Sequence, residues 1–275
     1  MEMSKTKVAN ENPYLPKPYK VLDFYRETPD NFTLTVNMKI KHDPGQFVQV
    51  SFPGFGEAPI SICSDSEDFV KLNIREVGNA TKALSKLRKG NSIFIRGPYG
   101  TGYPMKNFKD KGLVIIGGGC GVAPLKSVMD YIENNRKDYK DIYLILGYRS
   151  EKDIIFKKDV GKWRKNFHLY LTLDKKAHDH LCYNAKQGFV TDALKNLNLT
   201  NGNKIVLICG PPVMMKHVID LLKQEGFNDY QIFISAERLM YCGKGVCCHC
   251  MIRGKFTCVD GPVFRYDAIK DFKND

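Results

Sequence analysis

Five of the nine cysteines fall between residues 242 and 258, and their spacing is the strongest chemical signal in the chain. The run Cys242-Gly243-Lys244-Gly245-Val246-Cys247-Cys248-His249-Cys250, with Cys258 further on, reads C-x4-C-x2-C plus a distant fourth thiol. That is the spacing of a loop wrapped around a [2Fe–2S] cluster. A flat two-iron cluster needs thiolates converging from several sides. Gly243 and Gly245 let the backbone turn tightly and bring N–H groups to the cluster sulfurs, which tunes the potential. The expected ligands are Cys242, Cys247, Cys250 and Cys258; Cys248, between two of them, either points away or can substitute for a lost neighbour. A structural zinc held by four thiolates and His249 is the competing chemistry, and unliganded thiols are the third reading. The x4 gap is unusual for a zinc ribbon, which favours the cluster.

Two further stretches could bind nucleotides. Ile116-Gly117-Gly118-Gly119-Cys120-Gly121-Val122-Ala123-Pro124-Leu125 follows an apolar run and opens a helical pattern. Gly117, Gly118, Gly119 and Gly121 would let backbone N–H groups approach a pyrophosphate at the helix N-terminus. It is not the G-x-G-x-x-G fingerprint, because Val122 stands where the third glycine would fall, and a packing turn is the alternative. Cys209-Gly210-Pro211-Pro212 ends another apolar run, where ligands gather in open α/β sheets. Upstream, Ala58-Pro59-Ile60-Ser61, Asn73-Ile74-Arg75 and Gly78-Asn79-Ala80-Thr81 form a candidate phosphate and flavin site. Arg75 could pair a phosphate, and Ala80 and Thr81 open a short helix. Arg96-Gly97-Pro98-Tyr99-Gly100 reads mainly as a structural turn.

The elements that must position these residues change character along the chain. Residues 1–18 form a lead in which Pro13, Pro16 and Pro18 discourage regular structure. Residues 19–110 carry short β-rich pieces, among them 33–36, 47–50, 70–74 and 93–95, with one helical piece at 81–87, the pattern of a small antiparallel barrel. Residues 111–236 alternate apolar runs at 113–116, 142–146, 169–173, 205–208 and 231–234 with helical stretches at 122–134 and 214–225. That alternation predicts a parallel α/β sheet. Residues 237–275 are rich in cysteine and glycine and too poor in apolar residues to build their own core, so the thiols must hold them.

Composition bounds the rest. With 43% hydrophobic and 26% charged residues the chain is globular in type. The net charge of +12 raises nucleic-acid binding, but the lysines are scattered, Lys157-Lys158 and Lys175-Lys176 being pairs, so no nucleic acid is expected. No run is long enough to span a bilayer, no signal-peptide core follows Met1, and an odd cysteine count suits a reducing compartment. The expectation is a cytoplasmic protein without a membrane partner. His168, His178, His180 and His217 are isolated and are not expected to be catalytic.

Taken together, the order Pro59-Ile60-Ser61, Arg96-Gly97-Pro98-Tyr99-Gly100, Gly117-Gly118-Gly119 through Ala123-Pro124, then Cys209-Gly210-Pro211 resembles the ferredoxin–NADP reductase superfamily, over roughly residues 14–265. The resemblance implies an antiparallel FAD-binding barrel, a parallel-sheet NAD(P)H-binding domain and, here, a small C-terminal [2Fe–2S] module. Cys242 through Gly261-Pro262-Val263-Phe264 is similar to the electron-transfer subunits of dihydroorotate dehydrogenase, sulfhydrogenase and anaerobic sulfite reductase. Asn12-Pro13-Tyr14-Leu15-Pro16, Gly56-Glu57-Ala58-Pro59-Ile60-Ser61 and Cys248-His249-Cys250 look most like the electron-transfer subunit of anaerobic sulfite reductase.

The resemblance implies hydride transfer from a nicotinamide to FAD and single-electron passage through the cluster to a partner subunit, with sulfite as acceptor there. It places Cys209, Gly210 and Pro211 by the nicotinamide. The superfamily's Arg-x-Tyr-Ser flavin motif falls on Ala58-Pro59-Ile60-Ser61, so its arginine and stacking tyrosine are absent. NADP-using relatives have a Ser–Arg pair after the third strand of the nucleotide domain, where this chain has Asp174-Lys175. A carboxylate there accepts from a free ribose diol and repels a 2′-phosphate, so NADH is expected over NADPH, with Lys175 and Arg149 pulling the other way. The rival readings are a cluster- or zinc-binding regulatory protein on a vestigial reductase fold, and a self-sufficient enzyme, for which no set of acids and bases is left over.

Overall fold

The computed structural model describes residues 12–175, 183–197 and 199–270. His178, His180, Lys176 and Cys182, with the outer parts of the expected lead and C-terminal module, lie outside them.

The first sheet is antiparallel. Its strands are β1 (Lys17–Thr28), β2 (Asn31–Val36), β3 (Phe47–Phe52), β4 (Gly56–Ser61), β5 (Val70–Arg75) and β6 (Ser92–Tyr99), in the order β4-β3-β6-β1-β2-β5. A bridge between Ile62 and Leu72 brings the two edges together and closes the barrel. Period-two alternation fills its inside: Phe32, Leu34 and Val36 from β2, Val48 and Val50 from β3, Leu72 and Ile74 from β5, and Ile93 and Ile95 from β6 are all buried. Each such side chain contributes about 1.5–3 kcal/mol by leaving water. The helix α1 (Asn79–Leu84) is shorter than the 81–87 pattern suggests, and it buries Ala83 and Leu84.

Two differences from the sequence pattern stand out. β1 starts at Lys17 and takes in Pro18, which sits opposite Phe94, although the prolines suggest a strand that begins only after them. Arg96 lies within β6 rather than in a turn.

The second sheet contains β7 (Gly112–Gly118), β8 (Ile142–Tyr148), β9 (His168–Leu173), β10 (Lys186–Gln187), β11 (Lys204–Cys209) and β12 (Ile232–Ser235), all parallel, in the order β10-β9-β8-β7-β11-β12. Helices cover both faces, so the strands read as unbroken apolar runs. Leu113, Ile115, Leu144 and Leu146 face α2 (Val122–Asn134) and α3 (Val160–Asn166). Val114, Ile116, Val206 and Ile208 face α4 (Val190–Lys195) and α5 (Pro212–Gln224). α2 buries Leu125, Val128, Met129 and Ile132, and α5 buries Met215, Val218, Ile219 and Leu222, both at helical spacing.

After β12 the chain leaves the sheet, makes the small hairpin β13 (Met251–Ile252) and β14 (Lys255–Phe256), and returns as β15 (Val263–Arg265), antiparallel to β12. The cysteine segment is therefore tied into the second sheet, since β15 completes its seven strands. No helix among the described residues is long and apolar enough to cross a membrane.

Candidate functional site

The order of the second sheet reverses between β7 and β11, and the carboxyl ends of β7, β8 and β11 open there into a cavity of about 810 Å³. That is the place and size expected for a nucleotide in such a sheet. Gly118, Gly119, Cys120 and Gly121 form one wall, and Gly210, Pro211 and Met214 another. Gly119 has φ +54° and open space where a side chain would go, so the backbone can approach a ligand. Gly121 has a packing reason instead, because a Cβ there would lie 2.5 Å from the Cys209 carbonyl oxygen. Gly117 is likewise packed, against Val122 and Leu146.

Asp174 and Arg149 both line the cavity, their segments tied by Asp174 N–H to the Tyr148 carbonyl (3.0 Å) and Lys175 N–H to the Arg149 carbonyl (3.1 Å). Cys209 does not line it. It is 1% exposed beneath the glycine turn, and burial pushes its thiol up. The thiol facing the cavity is Cys120, which accepts a long hydrogen bond from Asn31 Nδ2 (3.8 Å) of the barrel. His217, isolated in sequence, also lines the cavity. So does Glu237, which no sequence motif singles out. It is reachable through the cavity mouth yet surrounded by protein, which raises its carboxyl above the usual range. Its one signal in the sequence is its place just beyond the last apolar run.

On the barrel side, the Ile62–Leu72 bridge sets Pro59, Ile60 and Ser61 of β4 beside Asn73, Ile74 and Arg75 of β5. These residues are brought together as expected, but most of their polar groups are already engaged. Asn73 Nδ2 donates to Asn31 Oδ1 (2.6 Å) and Thr33 Oγ1 (3.1 Å). The Thr81 hydroxyl accepts from the Val77 and Gly78 N–H groups (both 3.0 Å), and so serves the start of α1, next to Ala80. Arg75 reaches the cavity wall, with Nε on Asp30 Oδ2 (2.9 Å). Burial opposes ionisation of Asp30, but bonds from Arg75 and Thr28 outweigh it and lower its carboxyl.

Of the four expected cluster cysteines, Cys250 and Cys258 pack with Phe47 and Tyr99 of the barrel, and the four sulfurs fall into two pairs. Cys242 and Cys247 are hydrogen-bonded to one another, and the Cys250 and Cys258 sulfurs lie 3.3 Å apart. Two thiolates per iron is the donor set of a [2Fe–2S] cluster. Among the described residues, no three His, Cys, Asp or Glu side chains converge as a single zinc ion would need. Backbone donors surround the sulfurs: Lys244 N–H and Val246 N–H approach Cys242 Sγ (both 3.3 Å), and Gly245 N–H approaches Cys258 Sγ (3.2 Å). Burial would raise the Cys242 thiol, but the N–H groups of Cys247, Lys244 and Val246 lower it, and bonds from His249 and Cys242 lower Cys247 to about 7. Burial raises Cys258 to about 12, and Cys250 adds to it, so binding iron there would have to release the Cys258 proton. Cys248 adopts φ +62° and its thiol donates to the Val246 carbonyl (3.8 Å).

A side chain that the sequence pattern assigns to a turn holds this loop. Arg96 is 8% exposed, grips Glu57 with Nε (2.9 Å) and Nη2, and donates to the carbonyls of Tyr241 (2.7 Å) and Cys242 (2.5 Å). Burial opposes its charge, but Glu57 and Tyr99 outweigh that and keep it firmly ionised.

Residues 115–220 match the oxidoreductase NAD-binding domain, and residues 237–270 match the iron–sulfur cluster binding domain of dihydroorotate dehydrogenase B. The chain is 39% identical over 267 residues to the sulfhydrogenase 2 gamma subunit of Pyrococcus furiosus, covering 91% of this chain and 89% of that one. It is 33% identical to the probable dihydroorotate dehydrogenase B electron-transfer subunit of the same organism, covering 82% and 81%. The chain belongs to this family. The structure of the NADH-dependent reduced ferredoxin–NADP oxidoreductase is a fold neighbour, with a TM-score of 0.77 at 25% identity over 92% of this chain and 89% of that one. The Neisseria gonorrhoeae ferredoxin NADP+ reductase, at 21% identity and a TM-score of 0.68 over 80% and 97%, shares the fold. This family member is therefore an oxidoreductase of the electron-transfer subunit type.

Proposed function

We propose that the chain takes electrons from NADH through FAD and a [2Fe–2S] cluster held by Cys242, Cys247, Cys250 and Cys258, and hands them to a partner subunit. The observation that carries this is that one barrel serves both ends. Its Asn31 and Arg75 line the nucleotide cavity, while its Arg96 grips the cysteine loop. The flavin supplies the chemistry that accepts a hydride and releases electrons singly. This chain's residues do the positioning. Gly119 and the N-terminus of α2 receive the pyrophosphate, Asp174 accepts from the ribose diol, and Gly210 and Pro211 flank the nicotinamide with Cys120 across the cavity. Pro59, Ile60 and Ser61, with Asn73 to Arg75, form the flavin wall; Ile60 covers it by apolar contact, and Arg75 can turn from Asp30 to a phosphate.

The names of the relatives support a partner subunit carrying the terminal reaction, as in sulfhydrogenase or dihydroorotate dehydrogenase B. Sulfite as the acceptor rests on the likeness of Asn12–Pro16, Gly56–Ser61 and Cys248–Cys250 to the electron-transfer subunit of anaerobic sulfite reductase. Outside the four cluster cysteines, Cys63, Cys120, Cys209 and Cys248 are free thiols, which supports a reducing cytoplasm. The test is a chain that lacks the cluster but keeps FAD. It should reduce a dye with NADH and fail to drive the co-purified partner. Partner turnover at the normal rate would remove the cluster from the path, and zinc instead of iron in anaerobically purified protein would favour the regulatory reading.

A further inference from the structure

Arg96 ties the barrel to the cysteine loop through side-chain hydrogen bonds. A guanidinium carries five N–H donors in a fixed plane. Here each has an acceptor: Nε and one Nη2 hydrogen meet the Glu57 carboxylate, the other Nη2 hydrogen meets the Tyr241 carbonyl, and Nη1 meets the Tyr99 hydroxyl (3.3 Å) and the Cys242 carbonyl. Glu57 stands on β4, four residues before Ser61, on the strand that carries Pro59 and Ile60. Cys242 is the first cysteine of the loop. Gly243 follows with φ +70°, and a Cβ there would lie 3.1 Å from the Tyr99 ring, so the loop lies directly on this group.

We propose that Arg96 is a positioning residue for electron transfer, fixing the Tyr241–Cys242 segment to strand β4 and setting the cluster potential through its buried charge. This rests on Cys242, Cys247, Cys250 and Cys258 being the cluster ligands. One electron leaves the flavin that NADH has reduced and one reaches the thiolate-held cluster, whose charge changes by minus one. No bond at Arg96 is made or broken. A guanidinium one hydrogen bond from the Cys242 carbonyl favours the more negative form, and the Glu57 carboxylate on its far side partly offsets it. The two side chains therefore act on the potential with opposite signs. Lysine would keep the charge but not the five-pronged fork.

The experiment is an anaerobic redox titration of the full chain, followed by EPR and visible absorption, with iron, sulfide and FAD contents measured. Arg96→Gln should lower the cluster potential by about 59 mV, a tenfold change for one electron. Glu57→Gln should raise it, and Arg96→Lys should fall between Arg96→Gln and wild type. A purely structural link would loosen the loop in both Gln variants without opposite shifts. Potentials that stay unchanged, or move the same way, in protein with full iron and FAD overturn the proposal. If Arg96→Gln loads no cluster, the direction of the Glu57→Gln shift decides alone. A wild-type chain without iron overturns the ligand reading and this inference with it.

Discussion

The parallel sheet and the cysteine segment hold their working groups by different means. β7 is buried along its whole length, and the α2 and α5 faces close over it on both sides. Among the described residues, 237–270 bury only Met240, Cys250, Ile252, Cys258, Val263, Phe264 and Ile269 from the apolar set. Their local apolar cluster borrows Phe47 and Tyr99 from the barrel. The nucleotide cavity is thus shaped by packing that exists without its ligand. The cysteine loop rests on little packing of its own and is held to the barrel by Arg96, Tyr99 and Thr101. A segment with so little core gains its folding free energy largely from the group it binds.

The largest expected effect breaks one side of this contrast alone. Replacing Cys242, Cys247, Cys250 or Cys258 by Ser should abolish the visible absorption of the cluster, while Cys248→Ser should keep it. Loss in Cys248→Ser together with retention in any of the four would reverse the ligand assignment. Next in size, chelating the iron should open residues 241–256 to limited proteolysis while strands β7, β8 and β11 stay resistant. Equal cleavage in both regions would show that the loop is held by packing after all. On the sheet side, Asp174→Ala should cut the NADH over NADPH preference in kcat/KM roughly tenfold, the equivalent of about 1.4 kcal/mol. A chain that prefers NADPH from the start would give the larger role to Arg149 and Lys175.

The smallest effect concerns Arg75 and Asp30, a half-exposed pair whose loss should cost less than about 1 kcal/mol in a thermal melt. Its sign with pH follows from the lowered Asp30 carboxyl. The pair contributes above the unfolded value of about 3.9 and fades as pH falls through the lower folded value. Arg75→Ala should also weaken FAD retention where Asp30→Ala does not. Equal retention in both would confine Arg75 to the ion pair.

Much of the fold is legible in the sequence because local pattern and tertiary role agree. α2 spans Val122–Asn134, as its periodicity indicates, β7, β8, β9 and β11 contain the apolar runs that mark them, and β12 starts one residue later than its run. The four expected cysteines fall on one loop as two sulfur pairs because their spacing is local. What is not legible depends on distant partners. Arg96 meets the Cys242 carbonyl from 146 residues away, and nothing around it in sequence distinguishes it from a turn arginine. Cys120 rather than Cys209 faces the cavity because the glycine turn lies across the end of β11, a matter of close backbone approach. β1 absorbs Pro18 because a strand tolerates a residue without an N–H where no ladder bond is asked of it. β15 is hidden because three residues carry no period.

That last strand has a consequence for how current is delivered. The loop with the four thiols departs from β12 and returns beside it as β15, and Thr101 N–H holds the Gly261 carbonyl (2.5 Å) on the way back. Both ends of the excursion are thus clamped to one sheet. Carriers on a flexible tether swing between donor and acceptor, so their throughput depends on tether length and solvent viscosity. Here the terminal is bolted to the frame, and the acceptor must come to it. Turnover in a preassembled complex should then be indifferent to added viscogen, and any viscosity dependence should belong to the docking of the partner.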